Sequence, residues 1–377
     1  MWKWSGIGTY VRTLLDGLAE IQSDHKVRCL IRREDRKEIT QSGIEEGGIQ
    51  ILECPVKVYS LWEMPGLAQF LRGFNFDLVH FPHYIYPFWR KGLRSVVTIH
   101  DLIHLRFPKY HKTPLHHAYA RYVMPKSAHA AQTVITTSNH SRRDIVHYLG
   151  VASEKVQVVY NGLKKGFSAE ADPSKRRAFE RVKDRLGLAD PYVLYVGNAK
   201  EHKNLEGLFQ AFGQMLRRWD REQAGLMRPT LAVTVTKEEL RGNAATTIPE
   251  SIRFLGNIEG GMLADLYRAA ALLALPSYYE GFGLPPLEAM ASGAPVVCSN
   301  VASLPEVVGD AAIQVPPDDL DRLSSSIYDL LTLEDVRIRL RKEGLKRARL
   351  FTANAMAEAT LRIYEDVISG DSASEGG

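Results

Sequence analysis

The chain has 377 residues, 45% hydrophobic and 24% charged, with 48 basic against 44 acidic side chains and a formal net charge of +4. That length outgrows one hydrophobic core and predicts two domains of ordinary size. The charge balance does not mark a nucleic-acid binder, although local basic patches can face phosphate or anionic lipid, and no apolar run approaches the ~18 residues of a membrane span.

The amino end lacks a secretory signal pattern. Met1-Trp2-Lys3-Trp4-Ser5-Gly6-Ile7-Gly8 runs straight into a helix over Tyr10–Leu18, with Val11, Leu14, Leu15 and Leu18 on one face. Short β-branched runs then predict strands at Val27–Ile31, Ile49–Leu52, Asp77–Phe81, Ser95–Ile99, Thr133–Thr137 and Val156–Tyr160. The stretch Asn161–Lys175, with Gly162, Gly166 and Pro173, reads as a linker. A second series follows at Tyr192–Val196, Thr230–Val235, Ile252–Leu255, Leu272–Leu275, Pro295–Cys298 and Ala312–Val315. Strands alternating with helices in two blocks predict two Rossmann-like, doubly wound α/β domains. Their bounds are 1–165 and 176–350, and a last helix, 353–368, returns to the first. Met356, Thr360, Ile363, Tyr364 and Val367 line one face of that helix. The tail 369–377 is small and polar and predicted disordered. Cys29, Cys54 and Cys298 read as buried reduced thiols, which suits a cytoplasmic protein.

One feature breaks the pattern. A doubly wound domain begins with a strand, and none precedes Gly6-Ile7-Gly8. The first strand of the N-terminal domain is therefore expected to be missing, leaving an empty slot in the middle of the first sheet, with unpaired backbone and exposed apolar side chains. An apolar segment of about ten residues, the length of a long strand, is expected upstream.

The strongest chemical signal runs from Leu272 to Gly293: a buried strand ending at Pro276, a loop Ser277-Tyr278-Tyr279-Glu280-Gly281-Phe282-Gly283, and a helix opening near Leu284-Pro285-Pro286. Proline suits a first helical turn and Gly293 its stop. Gly281 and Gly283 let backbone approach a ligand, and N–H groups at a helix start favour phosphate. Glu280 and Glu288, with seven residues between them, are placed to accept hydrogen bonds from sugar hydroxyls. In isolation the same glutamates would read as a solvated loop residue and a helix-dipole partner.

This string, with Ala294-Pro295-Val296-Val297 and Ser303-Leu304-Pro305-Glu306-Val307-Val308-Gly309, resembles the signature of family 4 retaining glycosyltransferases. The likeness covers nearly the whole chain. Thr98-Ile99-His100-Asp101-Leu102 looks like the family's strand-end histidine. Tyr195-Val196-Gly197-Asn198-Ala199-Lys200-Glu201-His202-Lys203-Asn204-Leu205 is similar to its diphosphate loop. Gly6-Ile7-Gly8 resembles its first glycine loop; Val11 stands where a dinucleotide fingerprint would want a third glycine, which disfavours a nicotinamide enzyme. Thr137-Ser138-Asn139-His140-Ser141-Arg142-Arg143-Asp144 and Val158-Val159-Tyr160-Asn161-Gly162 fit as scaffold.

The resemblance implies a GT-B architecture, two Rossmann-like domains facing a cleft, and a retaining hexosyltransferase. His100 and Glu280 are the expected catalytic residues, orienting the transferred hexose. Gly6, Gly8, Asn198, His202, Lys203, Gly281, Phe282, Gly283, Leu284 and Glu288 are expected to bind the nucleotide sugar, with Glu288 on the ribose. Two departures stand out. The arginine usual beside Lys203 is absent, and His202 is placed to stand in for it, although neither residue is a bidentate fork. Ala353 stands where relatives often carry tryptophan, which predicts a looser return crossing.

Trp89 and Arg90, in the aromatic and basic stretch Tyr84–Lys91, are expected to border the acceptor site. The segment from Ile99 to Pro108 resembles mannosyl- and related bacterial polysaccharide transferases. GDP-mannose is thus the favoured donor, with a UDP-hexose next, and a glycan or lipid-linked acceptor is expected, with peripheral association at the inner membrane face. No cofactor or metal is expected. Asp319-Leu320-Asp321 reads as a helix start, and His111, His116 and His117 have no convincing partner set. Two other readings stay open: a non-catalytic interaction protein of the same fold, and a sugar phosphorylase, for which a ribose contact by Glu288 would have no purpose.

Overall fold

The computed structural model describes residues 5–21, 23–40, 43–56, 63–87, 92–107, 114–169, 183–184, 186–188, 190–240, 250–258 and 260–370. Trp89 and Arg90 lie outside the described residues, as do His111 and residues 371–377 of the tail.

Among the described residues there are twelve strands: β1 (Arg28–Ile31), β2 (Gln50–Glu53), β3 (Val79–Phe81), β4 (Ser95–Thr98), β5 (Thr133–Thr136), β6 (Val156–Val158), β7 (Tyr192–Tyr195), β8 (Thr230–Val233), β9 (Ile252–Phe254), β10 (Leu272–Leu275), β11 (Val296–Ser299) and β12 (Ile313–Val315). Each coincides with a predicted run to within a residue or two at the ends. The helices of eight or more residues are α1 (Ser5–Glu20), α2 (Glu63–Arg72), α3 (Pro114–Ala130), α4 (Asn139–Leu149), α5 (Leu205–Glu222), α6 (Gly260–Ala269), α7 (Leu284–Ala291), α8 (Leu320–Thr332), α9 (Glu334–Ala348) and α10 (Ala353–Gly370). The chain divides into two compact units, one of residues 1–164 with 351–377 and one of 165–350.

The second unit holds one six-stranded parallel sheet, ordered β9-β8-β7-β10-β11-β12. Counted from β7, that is the 3-2-1-4-5-6 order of a doubly wound nucleotide-binding fold, with its switch point between β7 and β10. Central strands β7, β8, β10 and β11 are buried at every residue. Helices cover both faces of such a sheet, so its strands can be continuous apolar runs. The cap of α5 shows how tightly its loops are set. Asn204 adopts a left-handed φ of 51° and accepts a hydrogen bond from Gly207 N at 3.2 Å. A Cβ at Gly207 would lie 2.4 Å from that Asn204 oxygen, so glycine is required beneath the cap.

In the first unit parallel strands form two separate sheets, β1-β2 and β3-β4-β5-β6. Among the described residues no strand pairs β1 with β3, and a break separates the two sheets. Helices α1 and α10 pack together, with Tyr10, Leu14, Leu15 and Leu18 of α1 and Met356, Ala357, Leu361, Ile363 and Val367 of α10 in one core cluster. The expected loosening at Ala353 does not occur. A Cβ at Gly17 would lie 2.2 Å from Ala353 O, and one at Gly162 would lie 2.8 Å from Ala353 Cα. Two glycines let the backbone at Ala353 come closer than a large side chain would allow, so small residues make this crossing tight.

The cysteines are free. Only Cys298 is buried; Cys29 and Cys54 are half-exposed, Cys29 because its strand β1 borders the sheet break. Asp319 caps α8, accepting from Arg322 N at 2.9 Å, as the sequence suggested. Among the described residues no helix is long and apolar enough to cross a membrane.

Candidate active site

In the second unit the site residues follow from the strand order. The loops after β7 and β10 leave the sheet at its switch point, where doubly wound folds bind ligands. The first loop places Lys203 in a short turn, its N–H donating to Lys200 O at 2.8 Å. The second carries Glu280. They meet: Lys203 Nζ donates to Glu280 Oε1 at 2.7 Å and Oε2 at 2.9 Å. Ser277 Oγ donates to the same Oε1 at 2.8 Å. Both charged side chains are about nine-tenths covered, at 12% and 10% exposure. A second bond ties the loops through their backbones, Tyr278 N donating to His202 O at 2.8 Å.

The Glu280–Gly283 loop is fixed from behind by Ser303, whose hydroxyl bridges Glu280 O at 2.9 Å and Phe282 O at 2.7 Å. Gly283 takes a φ of 111°, and a Cβ there would lie 2.8 Å from Leu304 Cδ2. This left-handed turn aims α7 back from the loop. Its start offers fewer donors than a helix end usually does. Pro285 and Pro286 carry no N–H, and Leu287 N bonds Gly283 O at 3.4 Å. Of the first four helical positions, Leu284 and Leu287 alone carry an amide N–H. Glu288, one turn on, is half-buried and accepts from Tyr267 OH at 3.0 Å.

The diphosphate loop corrects one expectation. His202 is 4% exposed and its pKa is lowered to about 3, by burial first and then by Lys203 and Lys200. A neutral, enclosed imidazole cannot replace an arginine's charge. Asn198 is exposed, but its side chain accepts from Lys200 N at 3.2 Å and its carbonyl from Tyr195 OH at 2.7 Å, so it shapes its own loop.

In the first unit His100 follows β4. Its Nε2 lies 3.0 Å from Pro82 O and must donate, since a carbonyl only accepts. Burial lowers its pKa to about 4, leaving Nδ1 as the acceptor of a neutral ring. The Tyr10 ring meets His100 edge-on at 4.7 Å, so the second turn of α1 lies against this histidine. Gly6 and Gly8 sit in the first turns of α1. Tyr10 OH lies 3.0 Å from Thr98 Oγ1, which is 2.7 Å from His80 Nε2, whose Nδ1 is 2.6 Å from Tyr364 OH. Sequence reasoning missed this chain, and also Ser303 and Tyr267, because the partners are far apart in sequence. Ser277, three residues before Glu280, was within reach.

Family profiles match both halves of the chain: "Glycosyltransferase Family 4" over residues 4–165 and "Glycosyl transferases group 1" over 176–347. O-antigen chain mannosyltransferase B of Escherichia coli is 32% identical over 82% of this chain and 80% of its own length. The chain belongs to glycosyltransferase family 4. Sucrose-phosphate synthase of Thermosynechococcus elongatus superposes with a TM-score of 0.73 at 21% identity, covering 97% of this chain and 94% of that one. HepE of Anabaena, solved with UDP-glucose, gives 0.73 at 15% identity and 97% coverage of both chains. At those identities the likeness shows the fold, two Rossmann-like domains of the GT-B class. This family 4 glycosyltransferase is therefore an enzyme of group transfer, and its Lys203–Glu280 pair stands on the matched stretch 176–347.

Proposed function

We propose that this family 4 glycosyltransferase is a retaining mannosyltransferase of polysaccharide synthesis, taking GDP-mannose as donor and a glycan or lipid-linked acceptor, with no metal ion. The observation that carries the reading is the buried ammonium of Lys203 beside Glu280 at the switch point, next to the Gly281–Leu284 amides. A diphosphate needs a cation and N–H donors, and the Lys203 ammonium with the amino end of α7 is what this corner brings to it. Glu288, which accepts from Tyr267 at Oε2, is the carboxylate we assign to the ribose hydroxyls. Glu280 accepts from a transferred hexose; His100, in the first unit, is a neutral hydrogen-bonding ring of the kind that serves a sugar hydroxyl. The choice of mannose rests on the name of the Escherichia coli relative.

In the step itself the bond from the sugar's C1 to the diphosphate oxygen breaks, and a bond from C1 to the acceptor oxygen forms on the same face. The acceptor's proton passes to the leaving phosphate oxygen, releasing nucleoside diphosphate. The protein contributes position and charge stabilisation.

The test measures nucleotide binding and transfer separately, across GDP- and UDP-sugars, with EDTA present. Glu288→Ala should weaken GDP and GDP-mannose alike. Glu280→Ala should spare GDP more than it spares transfer. Loss of transfer in EDTA, an inverted product anomer, or stronger turnover with a UDP-hexose would overturn the corresponding part of the reading.

A further inference from the structure

The carboxylate of Glu288, on α7, is held by a residue of another helix. Tyr267, in α6, is fully buried, and its hydroxyl donates to Glu288 Oε2 at 3.0 Å. A phenylalanine would fill nearly the same space, so packing alone does not account for the hydroxyl, and a buried hydroxyl is costly unless it is bonded. Its partner Glu288 is only half-buried, so the pair runs from the interior to a carboxylate that water reaches. Burial, and then the charge of Glu288, holds the phenol's pKa well above its ordinary value. The hydroxyl therefore stays a donor at neutral pH.

The last turn of α6 is fastened at three consecutive residues. Tyr192 OH, in β7, donates to Leu266 O at 2.6 Å. The Phe167 ring meets the Tyr267 ring edge-on, with centroids 5.9 Å apart and planes at 67°. Arg268 Nε donates to Ser168 O at 2.9 Å. The same stretch continues onto α7: a Cβ at Gly293, just past that helix, would lie 3.3 Å from Ala169 Cβ. Phe167, Ser168 and Ala169, near the start of the second unit, thus strap the carboxyl ends of both helices. A helix turns about 100° per residue, so a slip of one residue would carry the phenol off the carboxylate. The strap fixes α6 where its register matters.

We propose that Tyr267 is a positioning residue that sets a preference for ribonucleotides over nucleotides lacking the ribose hydroxyls. It holds the Glu288 carboxylate in the orientation that accepts from those hydroxyls, and Phe167 holds Tyr267. The inference rests on the assignment of Glu288 to ribose. A carboxylate already held loses less freedom when a ligand binds, so more of the bond appears as affinity. A nucleotide without the hydroxyls offers no such bond and gains nothing from the tyrosine.

The experiment measures dissociation constants by calorimetry for GDP and UDP, each beside its analogue lacking both ribose hydroxyls. The proteins are the 377-residue chain, Tyr267→Phe, Phe167→Leu, Glu288→Ala and the double variant Tyr267→Phe with Glu288→Ala. The unaltered protein should favour the ribonucleotide about ten- to a hundredfold, the worth of a hydrogen bond to a charged group. Tyr267→Phe should weaken the ribonucleotide roughly tenfold and leave the analogue unchanged. Phe167→Leu keeps the hydroxyl but loosens its ring and should lose part of the same preference, which carries the test if Tyr267→Phe does not fold. Glu288→Ala should abolish the preference, and adding Tyr267→Phe to it should change neither constant. A preference kept in Tyr267→Phe and lost in Glu288→Ala would overturn the role of the tyrosine alone. Equal losses for ribonucleotide and analogue would make Tyr267 a packing residue and overturn it too. No preference in the unaltered protein, or no binding of either nucleotide, would overturn the ribose assignment and this proposal with it.

Discussion

The two units use one architecture to different depth. In the second, a strand stands at the centre of the sheet, and its neighbours are buried at every position. In the first, a cavity of about 640 Å³ lies between β1 and β3, and both strands keep partly exposed residues. The comparison teaches that a parallel sheet draws its burial from both neighbours of each strand. A strand with no neighbour on one side is partly solvated, while the next ones are not: β4 and most of β5 are covered.

The sharpest probe of the well-packed unit is Lys203→Ala. It would leave Glu280 as a buried charge with only Ser277 to satisfy it, a loss of about 3–5 kcal/mol. Urea unfolding should show that loss, and Lys203→Met with Glu280→Gln together should recover most of it without recovering nucleotide binding. Full stability of Lys203→Ala would mean the pair is solvated in solution, and the contrast between the units would shrink.

Core truncations test the contrast directly. Leu273→Ala, in fully buried β10, should cost about 2–5 kcal/mol by leaving a cavity. Leu30→Ala, in half-buried β1 beside the cavity, removes a side chain that water already reaches and should cost only about 1–2 kcal/mol. Equal costs in chemical denaturation would break the comparison. A loss of about 1–3 kcal/mol is expected for Gly17→Ala, whose new methyl meets the Ala353 carbonyl. Its thermal midpoint should drop, and a neutral result would put slack into the α1–α10 crossing.

The smallest effect is shared. Burial lowers the pKa of His80 in the first unit and His202 in the second to about 3, from an ordinary 6.5. Between those values the unfolded chain binds more protons than the folded one, so stability is full above pH 6.5 and is lost as pH falls toward 3. His80→Gln and His202→Gln should each flatten the dependence of unfolding free energy between pH 7 and 5. A flattening in one unit alone would mark the other histidine as hydrated.

Much of this was legible in the sequence. The twelve strands among the described residues announced themselves as short β-branched runs. The glycine loop and Glu280 were visible because strand, loop and helix are contiguous there. What stayed hidden depends on partners brought together by folding. Ser303 sits 23 residues from the carbonyl it holds, and His80 lies 284 residues from Tyr364. His202 looked like a spare cation because sequence shows charge type and not burial. Ala353 looked loose because its fit depends on Gly17 and Gly162 rather than on itself.

The carboxylate against Lys203 has a consequence for the rate at which ligands arrive. An internal counter-ion at 2.7 Å turns the lysine's monopole into a short dipole, whose field fades within a few ångströms. This corner therefore exerts little long-range pull, and encounter with a charged ligand should depend only weakly on ionic strength. Discrimination falls to the moment of contact. A singly charged anion offers the ammonium no more than Glu280 already gives, whereas a group with two or more negative charges can share the lysine with the glutamate or draw it away. Stopped-flow association at low and high salt would show the first property, and competition by monoanions against a diphosphate the second.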